Sequence, residues 1–174
     1  MRRHRATRAA NSAPEVRTCL VYRHAVAISR SSWRGDDVLR PLSRRGDGQA
    51  VALARELAAG PVARVLASPA QRCIATVAAI AEGAGLLVEI APFLAEGSDG
   101  LVALKRILAT SNSLEGPGVL VACTHGDVLV DLVDELVASG GVADPPRAIQ
   151  KGGAIRLDVI AGVVATASIV PAPE

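Results

Sequence analysis

A short apolar run that ends in two cationic side chains constrains the fold of this chain more than any other stretch. Residues 18–25 read Thr-Cys-Leu-Val-Tyr-Arg-His-Ala, and the residues before the arginine favour a buried β-strand. Open α/β sheets bind their ligands at the C-terminal ends of strands, where Arg23 and His24 would lie. Such a pair suits an oxyanion, phosphate above all. Taken alone, the stretch also fits a strand that simply meets water at this point.

Two later apolar runs end in polar residues in the same way. The wholly apolar run Val119–Cys123 leads towards His125, and Arg64–Ala67 leads into Ser68. Predicted helices of ten to fifteen residues alternate with these strands, which indicates an α/β fold, a three-layer sandwich with a mostly parallel central sheet. Because parallel strands end at one edge, four side chains are predicted to converge there: Arg23, His24, Arg72 and His125.

Capping and breaking residues predict where the elements begin and end. Ser43 is the predicted N-cap of a helix that stops at Gly60, and Ser68 the N-cap of a helix from Pro69 to about Glu82. Residues 86–90 are the third predicted strand, and residues 154–157 and 163–169 a strand pair at the sheet edge. The polar loop at residues 28–37 directly follows the first strand, a position that is often functional.

Charge and cysteine usage exclude several function classes. The net charge of +2 is misleading, because five arginines and one acid lie within the first 17 residues and the rest has 14 basic and 16 acidic side chains. The body is thus mildly acidic, and aromatic residues make up only 2% of the chain, which argues against a broad nucleic-acid surface. Three widely spaced cysteines match neither a zinc site nor a disulfide framework, so we expect a reducing cytoplasm.

The length predicts one domain, residues 16–174, preceded by a disordered basic tail, residues 1–15. The first 14 residues lack an apolar core of seven or more, so we expect neither a secretory signal nor a membrane span. A role for the tail as an arm that binds nucleic acid or an acidic partner stays open. The oligomeric state stays open as well.

Four segments, in order, are similar to the histidine phosphatase superfamily, whose fold is phosphoglycerate-mutase-like. They are Tyr-Arg-His-Ala at 22–25, Arg-Pro-Leu-Ser-Arg-Arg-Gly at 40–46, Val-Leu-Ala-Ser-Pro-Ala-Gln-Arg-Cys at 65–73 with Thr76, and Val-Ala-Cys-Thr-His-Gly at 121–126. The chain looks closest to the short, SixA-like branch. It also resembles the histidine-phosphatase-like domain of mycobacterial MutT-type Nudix hydrolases, through Gly-Asp-Asp at 35–37 and Lys-Gly-Gly at 151–153.

The resemblance implies that His24 is a nucleophile that forms a phosphohistidine intermediate. It implies that Arg23, Arg72 and His125 bind the phosphoryl oxygens and stabilise the transition state, which needs positive charge more than covalent help. No metal and no other cofactor is required. Ala25 departs from the commoner Arg-His-Gly motif, although alanine occurs in the SixA-like branch.

The proton donor to the leaving group is less well defined. Glu96 lies where larger members of the superfamily carry that acid, and an ordinary exposed loop carboxylate is the alternative; Asp127 is a weaker candidate. Three loop residues are candidates for substrate binding, although a solvated loop explains Arg30 equally well: Arg30, Trp33 and Arg40. We interpret Asp36 and Asp37 as turn and cap residues.

The resulting prediction is a metal-independent phosphatase, most of all a SixA-like phosphohistidine phosphatase. A phosphorylated protein or a small phosphorylated molecule would then be its partner, without a role for membranes. Hydrolysis of nucleotides or small phosphate esters is the alternative within the enzyme class. A phosphate- or phosphoprotein-binding module that has lost turnover is the alternative outside it.

Overall fold

A computed structural model describes residues 15–140 and 148–174 of the chain. The predicted basic tail falls almost wholly outside these residues, and the assignment of residues 16–174 to one domain stays a prediction. Six strands form one sheet: β1 (Val16–Arg23), β2 (Val62–Ala67), β3 (Val88–Ile90), β4 (Val119–Thr124), β5 (Ala154–Ile160) and β6 (Val163–Val170). Four helices accompany them: α1 (Arg44–Leu57), α2 (Gln71–Gly83), α3 (Gly100–Asn112) and α4 (Gly126–Ala138).

The strand order is β3-β2-β4-β1-β5-β6. The neighbouring pairs among β1 to β4 are parallel, and β5 pairs antiparallel with both β1 and β6. The predicted mostly parallel sheet is therefore confirmed, and so is the predicted strand pair at its edge. Among the described residues, β5 alone runs against the direction of the others.

Helices cover both faces of the sheet, as the wholly apolar strands require. Alternate residues of β1 point to opposite faces, so that Leu20 and Tyr22 pack with α1 and α2, whereas Cys19 and Val21 pack with α3 and α4. The α3–α4 side carries the larger core and includes Leu104, Ile107, Leu129, Leu132 and Leu136. The chain is therefore a three-layer sandwich, as predicted.

Backbone hydrogen bonds extend the parallel ladder just beyond the strands. The His24 N–H donates to the carbonyl oxygen of Thr124 at 3.0 Å, and the Ser68 N–H donates to that of Cys123 at 2.9 Å. Three consecutive strand ends, those of β1, β4 and β2, are thereby held level at one edge. This edge is where the candidate site lies.

The start of α2 differs from the prediction. The helix begins at Gln71 rather than at Pro69, and its N-cap is Ala70, which makes no side-chain capping bond. The Ser68 hydroxyl instead lies 2.8 Å from Nε2 of His125. The hydroxyl also accepts from the Ala70 N–H at 3.3 Å, so it is shared between the imidazole and the turn before the helix. The Ser43 cap is confirmed, because its hydroxyl accepts from the Gly46 N–H at 3.2 Å.

Candidate active site

An open cleft of about 860 Å³ lies over the C-terminal ends of β1 and β4. Its floor includes Arg23, His24 and His125, and one wall comes from the loop after β1. The opposite wall comes from the start of α4. Glu96 and Lys151 also line the cleft. The topology therefore places the two strand-end histidines in one cavity.

His24 is 7% exposed, and its Nδ1 lies 2.8 Å from the carbonyl oxygen of Ala25. A carbonyl oxygen only accepts, so Nδ1 carries the proton and Nε2 carries the lone pair. Burial above all, with the nearby positive charges of Arg72 and Lys151, lowers the His24 pKa from 6.5 to about 3. The ring is therefore neutral at neutral pH, with a free electron pair at Nε2.

His125 is held by contacts at both of its ring nitrogens. Its Nε2 bonds the hydroxyl of Ser68 at 2.8 Å, and its Nδ1 lies 3.4 Å from Nη2 of Arg72. An arginine only donates, so in this arrangement Nδ1 of His125 accepts and Nε2 donates to Ser68. The rings of His24 and His125 meet edge to face, with their centroids 5.4 Å apart.

Arg23 reaches the cleft past the first residue of α4. Its Nη1 donates to the carbonyl oxygen of Ile149 at 3.0 Å, and its Nε is buried without a partner among the described residues. A Cβ built on Gly126 would lie 2.9 Å from the Arg23 guanidinium, closer than real side chains approach. The glycine after His125 therefore leaves the room that Arg23 occupies.

Arg72 is 1% exposed and is held by two acidic residues. Its Nη2 donates to Oε2 of Glu96 at 2.7 Å, and its Nη1 donates to the carbonyl oxygen of Asp37 at 2.7 Å. The same Nη1 lies 3.2 Å from Oδ2 of Asp37. Its Nε has no hydrogen-bond partner in the described part of the chain. Arg72 is thus buried between two loops, beside His125.

Asp37 joins three arginines. Oδ1 accepts from Nε of Arg40 at 2.8 Å and from Nε of Arg30 at 3.2 Å, and the carboxylate also pairs with Arg72. These contacts, those of Arg40 first, hold the Asp37 pKa far below its usual value. Arg30 also donates from Nη2 to Oε1 of Glu96 at 2.7 Å. The loop after β1 is therefore tied to the loop that carries Glu96.

The backbone around His24 is fixed by three further contacts. The Ala25 N–H donates to the hydroxyl of Thr76 at 2.9 Å, and the Val26 N–H donates to Oε1 of Gln49 at 3.0 Å. The Gly152 N–H reaches the carbonyl oxygens of Arg23 at 3.1 Å and His24 at 3.3 Å. Gly152 has φ +85°, a conformation that suits glycine. The segment that carries the nucleophile candidate is thus preorganised.

A family model for the histidine phosphatase superfamily (branch 1) matches residues 19–106, which is half of the chain. The chain belongs to the histidine phosphatase superfamily. The resemblance noted in the sequence is thereby confirmed.

A curated relative supports this membership. The 8-oxo-(d)GTP phosphatase of Mycolicibacterium smegmatis is 31% identical over 163 residues, which cover 92% of this chain and 50% of that protein. The chain therefore spans about half the length of this curated relative.

Solved structures of other members share the fold. The structure of the protein histidine phosphatase SixA complexed with tungstate has a TM-score of 0.69 at 18% identity and covers 88% of this chain and 94% of its own. The phosphoglycerate mutase of Bacillus anthracis has a TM-score of 0.63 at 15% identity and covers 91% of this chain and 93% of its own. The predicted phosphoglycerate-mutase-like fold is confirmed.

Most of the site residues predicted for this superfamily member come together. Arg23, His24, His125 and Glu96 line the cleft, and Arg72 touches two of them. Their catalytic roles stay predictions. Asp127, the weaker candidate acid, also lines the cleft, and its Oδ2 accepts from the Gly97 N–H at 2.7 Å.

The three candidate substrate-binding residues do not all lie in the cleft. Arg30 and Arg40 line the cleft, and Arg40 is 6% exposed, with its Nη1 on the carbonyl oxygen of Ile28 at 2.8 Å. Trp33 is not among the residues that line the cleft; its Nε1 donates to the carbonyl oxygen of Asp36 at 2.8 Å within the same loop. A role for Trp33 in substrate binding stays a prediction that this geometry does not support.

Two residues in or beside the cleft, Asp37 and Lys151, were not predicted as site residues from the sequence. Asp36 is a cap, as expected, but Asp37 is the carboxylate that organises three arginines. Lys151 lines the cleft, although the sequence indicated it only as part of a Lys-Gly-Gly motif. The surplus of arginines in residues 30–45 was the signal for Asp37, because such charges need a nearby carboxylate.

Neither metal ligands nor membrane-crossing helices are found in the described ranges. Within them, no three His, Cys, Asp or Glu side chains are grouped so as to hold a metal ion. None of the helices there combines the length and the apolar character needed to cross a bilayer.

Proposed function

We propose that the chain is a metal-independent phosphatase that works through a phosphohistidine on Nε2 of His24. The observation that carries this proposal is the bond between Nδ1 of His24 and the Ala25 carbonyl oxygen, 2.8 Å long. It leaves a lone pair on Nε2 of a ring whose pKa is lowered to about 3, inside a cleft rich in arginine. A neutral imidazole beside cationic groups is what attack on a phosphoryl group requires.

The reaction proceeds in two balanced steps. Nε2 of His24 donates its electron pair to phosphorus, and the bond from phosphorus to the leaving group breaks, with the leaving group keeping the electron pair. Water then attacks the phosphohistidine, the N–P bond breaks, and its electron pair returns to Nε2. Inorganic phosphate leaves, and the resting enzyme is restored.

Positive charge around the phosphoryl group supplies the main stabilisation. Arg23 has a buried Nε without a partner among the described residues, and Arg72 has another. Buried donors that lack a partner favour binding of an acceptor such as a phosphoryl oxygen. In the proposed mechanism both guanidinium groups bind the oxygens that gain charge in the transition state, and His125 joins them once its Nδ1, released by Arg72, carries a proton.

Glu96 is proposed as the acid that protonates the leaving group. It lines the cleft and lies 2.7 Å from Nη2 of both Arg72 and Arg30. Binding of a phosphoryl group to Arg72 would compete with Glu96 for the same nitrogen. The carboxylate released in this way would take a proton from the phosphate monoanion of the substrate and pass it to the leaving oxygen. In the second step it would take a proton back from the attacking water.

Two substrate classes are supported by different observations. A nucleotide is favoured by the 31% identity to an 8-oxo-(d)GTP phosphatase over most of this chain. A protein-borne phosphohistidine, the SixA-like role, is favoured by the openness of the cleft, which leaves room for a large substrate. Either substrate presents a terminal phosphoryl group to His24, so the proposed chemistry is the same.

All three cysteines are free and buried, which supports a reducing cytoplasmic location.

The test measures phosphate release from p-nitrophenyl phosphate, a phosphohistidine peptide and nucleotides, all with EDTA present. We expect turnover by the wild-type chain and none by His24→Ala. Acid-labile phosphate trapped on wild-type protein, and absent from the variant, would identify the intermediate. Turnover that requires added metal, or that survives in His24→Ala, would contradict the mechanism. Binding without turnover would favour the phosphate-binding module.

A further inference from the structure

We propose that Lys151 forms a second phosphoryl subsite beside His24, so that the preferred substrates carry two or more linked phosphoryl groups. The inference rests on the proposed function, since it assigns the group next to the one that His24 attacks. A nucleoside diphosphate or triphosphate is the corresponding substrate class. Nothing in the roles proposed for Arg23, Arg72 and His125 requires this lysine.

The fold places Lys151 next to the nucleophile. It immediately precedes Gly152, whose N–H lies on the carbonyl oxygens of Arg23 and His24. The carbonyl oxygen of Lys151 itself accepts from Nε2 of Gln49 at 3.1 Å, and the same Gln49 side chain binds the Val26 N–H. The lysine backbone is therefore anchored on both sides, and Lys151 is among the residues that line the cleft.

The charges near Lys151 are unbalanced. Arg30, Arg40 and Arg72 share two carboxylates, those of Asp37 and Glu96. Among the described residues, neither Lys151 nor Arg23 has a carboxylate within ion-pair distance. Burial lowers the Lys151 pKa, and the four nearby arginines lower it further. Several linked phosphoryl groups balance these neighbouring positive charges better than a single phosphoryl group does.

The opposite wall directs the second phosphoryl group towards Lys151. That wall is the first turns of α4, where Asp127 and Asp131 line the cleft. Like charges repel, so a chain of phosphoryl groups is disfavoured along α4. When His24 attacks the terminal phosphorus, the bridging oxygen leaves as part of a phosphate. Lys151 would stabilise the charge that develops on this leaving group.

The experiment compares a substrate with one phosphoryl group, p-nitrophenyl phosphate, and one with two, a nucleoside diphosphate. Loss of one charged contact is expected to lower the ratio of kcat/KM values, diphosphate over monophosphate, about tenfold or more in Lys151→Met. Lys151→Arg should restore much of the ratio. The control is Lys105→Met, because Lys105 is the other lysine of the chain and is exposed on α3.

An unchanged ratio in Lys151→Met would overturn the subsite while leaving the phosphatase proposal intact. If the wild-type chain turns over no substrate, the proposed function fails and binding tests the subsite separately. Calorimetry should then show tighter binding of pyrophosphate than of inorganic phosphate, with the difference lost in Lys151→Met. Equal affinities in the wild-type chain would overturn the subsite as well.

Discussion

Asp37 contacts the same nitrogen of Arg72 twice, through its carbonyl oxygen at 2.7 Å and through its carboxylate at 3.2 Å. The carboxylate also binds Arg30 and Arg40. A single residue on the loop after β1 thus orients a phosphate-binding candidate on α2. Positioning of this kind contributes to catalysis because small displacements of a charged group cost rate.

We expect Asp37→Asn to lower kcat/KM for p-nitrophenyl phosphate by about tenfold, since Arg72 loses one of its two charged partners and is held less firmly. Asp36→Asn is the matched control. Asp36 caps a short turn through the Val38 N–H, and asparagine caps equally well. Steady-state kinetics of both variants and of Asp37→Glu provide the measurement. Equal activity of Asp37→Asn and the wild-type chain would show that Arg72 is positioned without this carboxylate.

The pH dependence of stability should report the buried state of His24. Its pKa is lowered from 6.5 to about 3 in the folded chain, so between these values the unfolded chain binds the extra proton. The free energy of unfolding should therefore fall as the pH is lowered from about 6.5 towards 3. His24→Asn should weaken this fall. Denaturant titrations at pH 7 and pH 5 measure this change in the free energy of unfolding. Both pH values lie above the range, near 3.8 and below, in which Asp37 contributes.

An identical decrease in unfolding free energy for His24→Asn and the wild-type chain would contradict the lowered pKa. The difference between the two proteins is the relevant quantity, because every other titratable group is present in both. A histidine NMR titration gives an independent reading for His24.

Glu96→Gln should separate a proton donor from a charge partner. A general acid matters most for poor leaving groups, so the loss of kcat/KM should be about a hundredfold for an alkyl phosphate and much smaller for p-nitrophenyl phosphate. A residue that only holds Arg72 and Arg30 should affect both substrates equally. Rates for a series of phosphate esters with different leaving groups distinguish these outcomes. Asp127→Asn, measured on the same series, tests the weaker candidate.

Gly126→Ala should impair activity without unfolding the chain. Its new Cβ would lie 2.9 Å from the Arg23 guanidinium, which would have to move. We expect kcat/KM to fall about tenfold or more, because Arg23 would leave its place beside His24. Gly83→Ala, where a Cβ meets nothing within 4 Å, is the control. If circular dichroism shows both variants folded and both are fully active, activity does not depend on the position in which Gly126 lets Arg23 lie.

The strand ends were predictable from the sequence because they depend on local patterns. An apolar run that ends in Arg23 and His24, and another that ends before His125, indicate a buried strand and its edge. Parallel pairing then brings the edges together, whatever the details of the loops. The order of the four segments shared with the histidine phosphatase superfamily predicted that Arg72 lies at the same edge of the sheet.

The contacts of the side chains were less predictable, since they depend on partners far away in the chain. Ser68 looked like a cap, but the His125 imidazole, 57 positions later, binds its hydroxyl. Asp37 looked like a turn residue because its arginine partner on α2 is 35 positions away. Lys151 is next to His24 only because β5 returns beside β1.

The position of β1 has a consequence for the synthesis of the chain. This first strand lies between β4 and β5, and Gly152 binds the backbone of Arg23 and His24. A ribosome must therefore complete more than 150 residues before the segment that carries His24 acquires both neighbours. Before β4 is made β1 is an apolar strand with two open edges, and one edge stays open until β5 follows, which is a hazard for aggregation. Folding of this chain should thus be completed late, and the candidate site would be among the last parts to form.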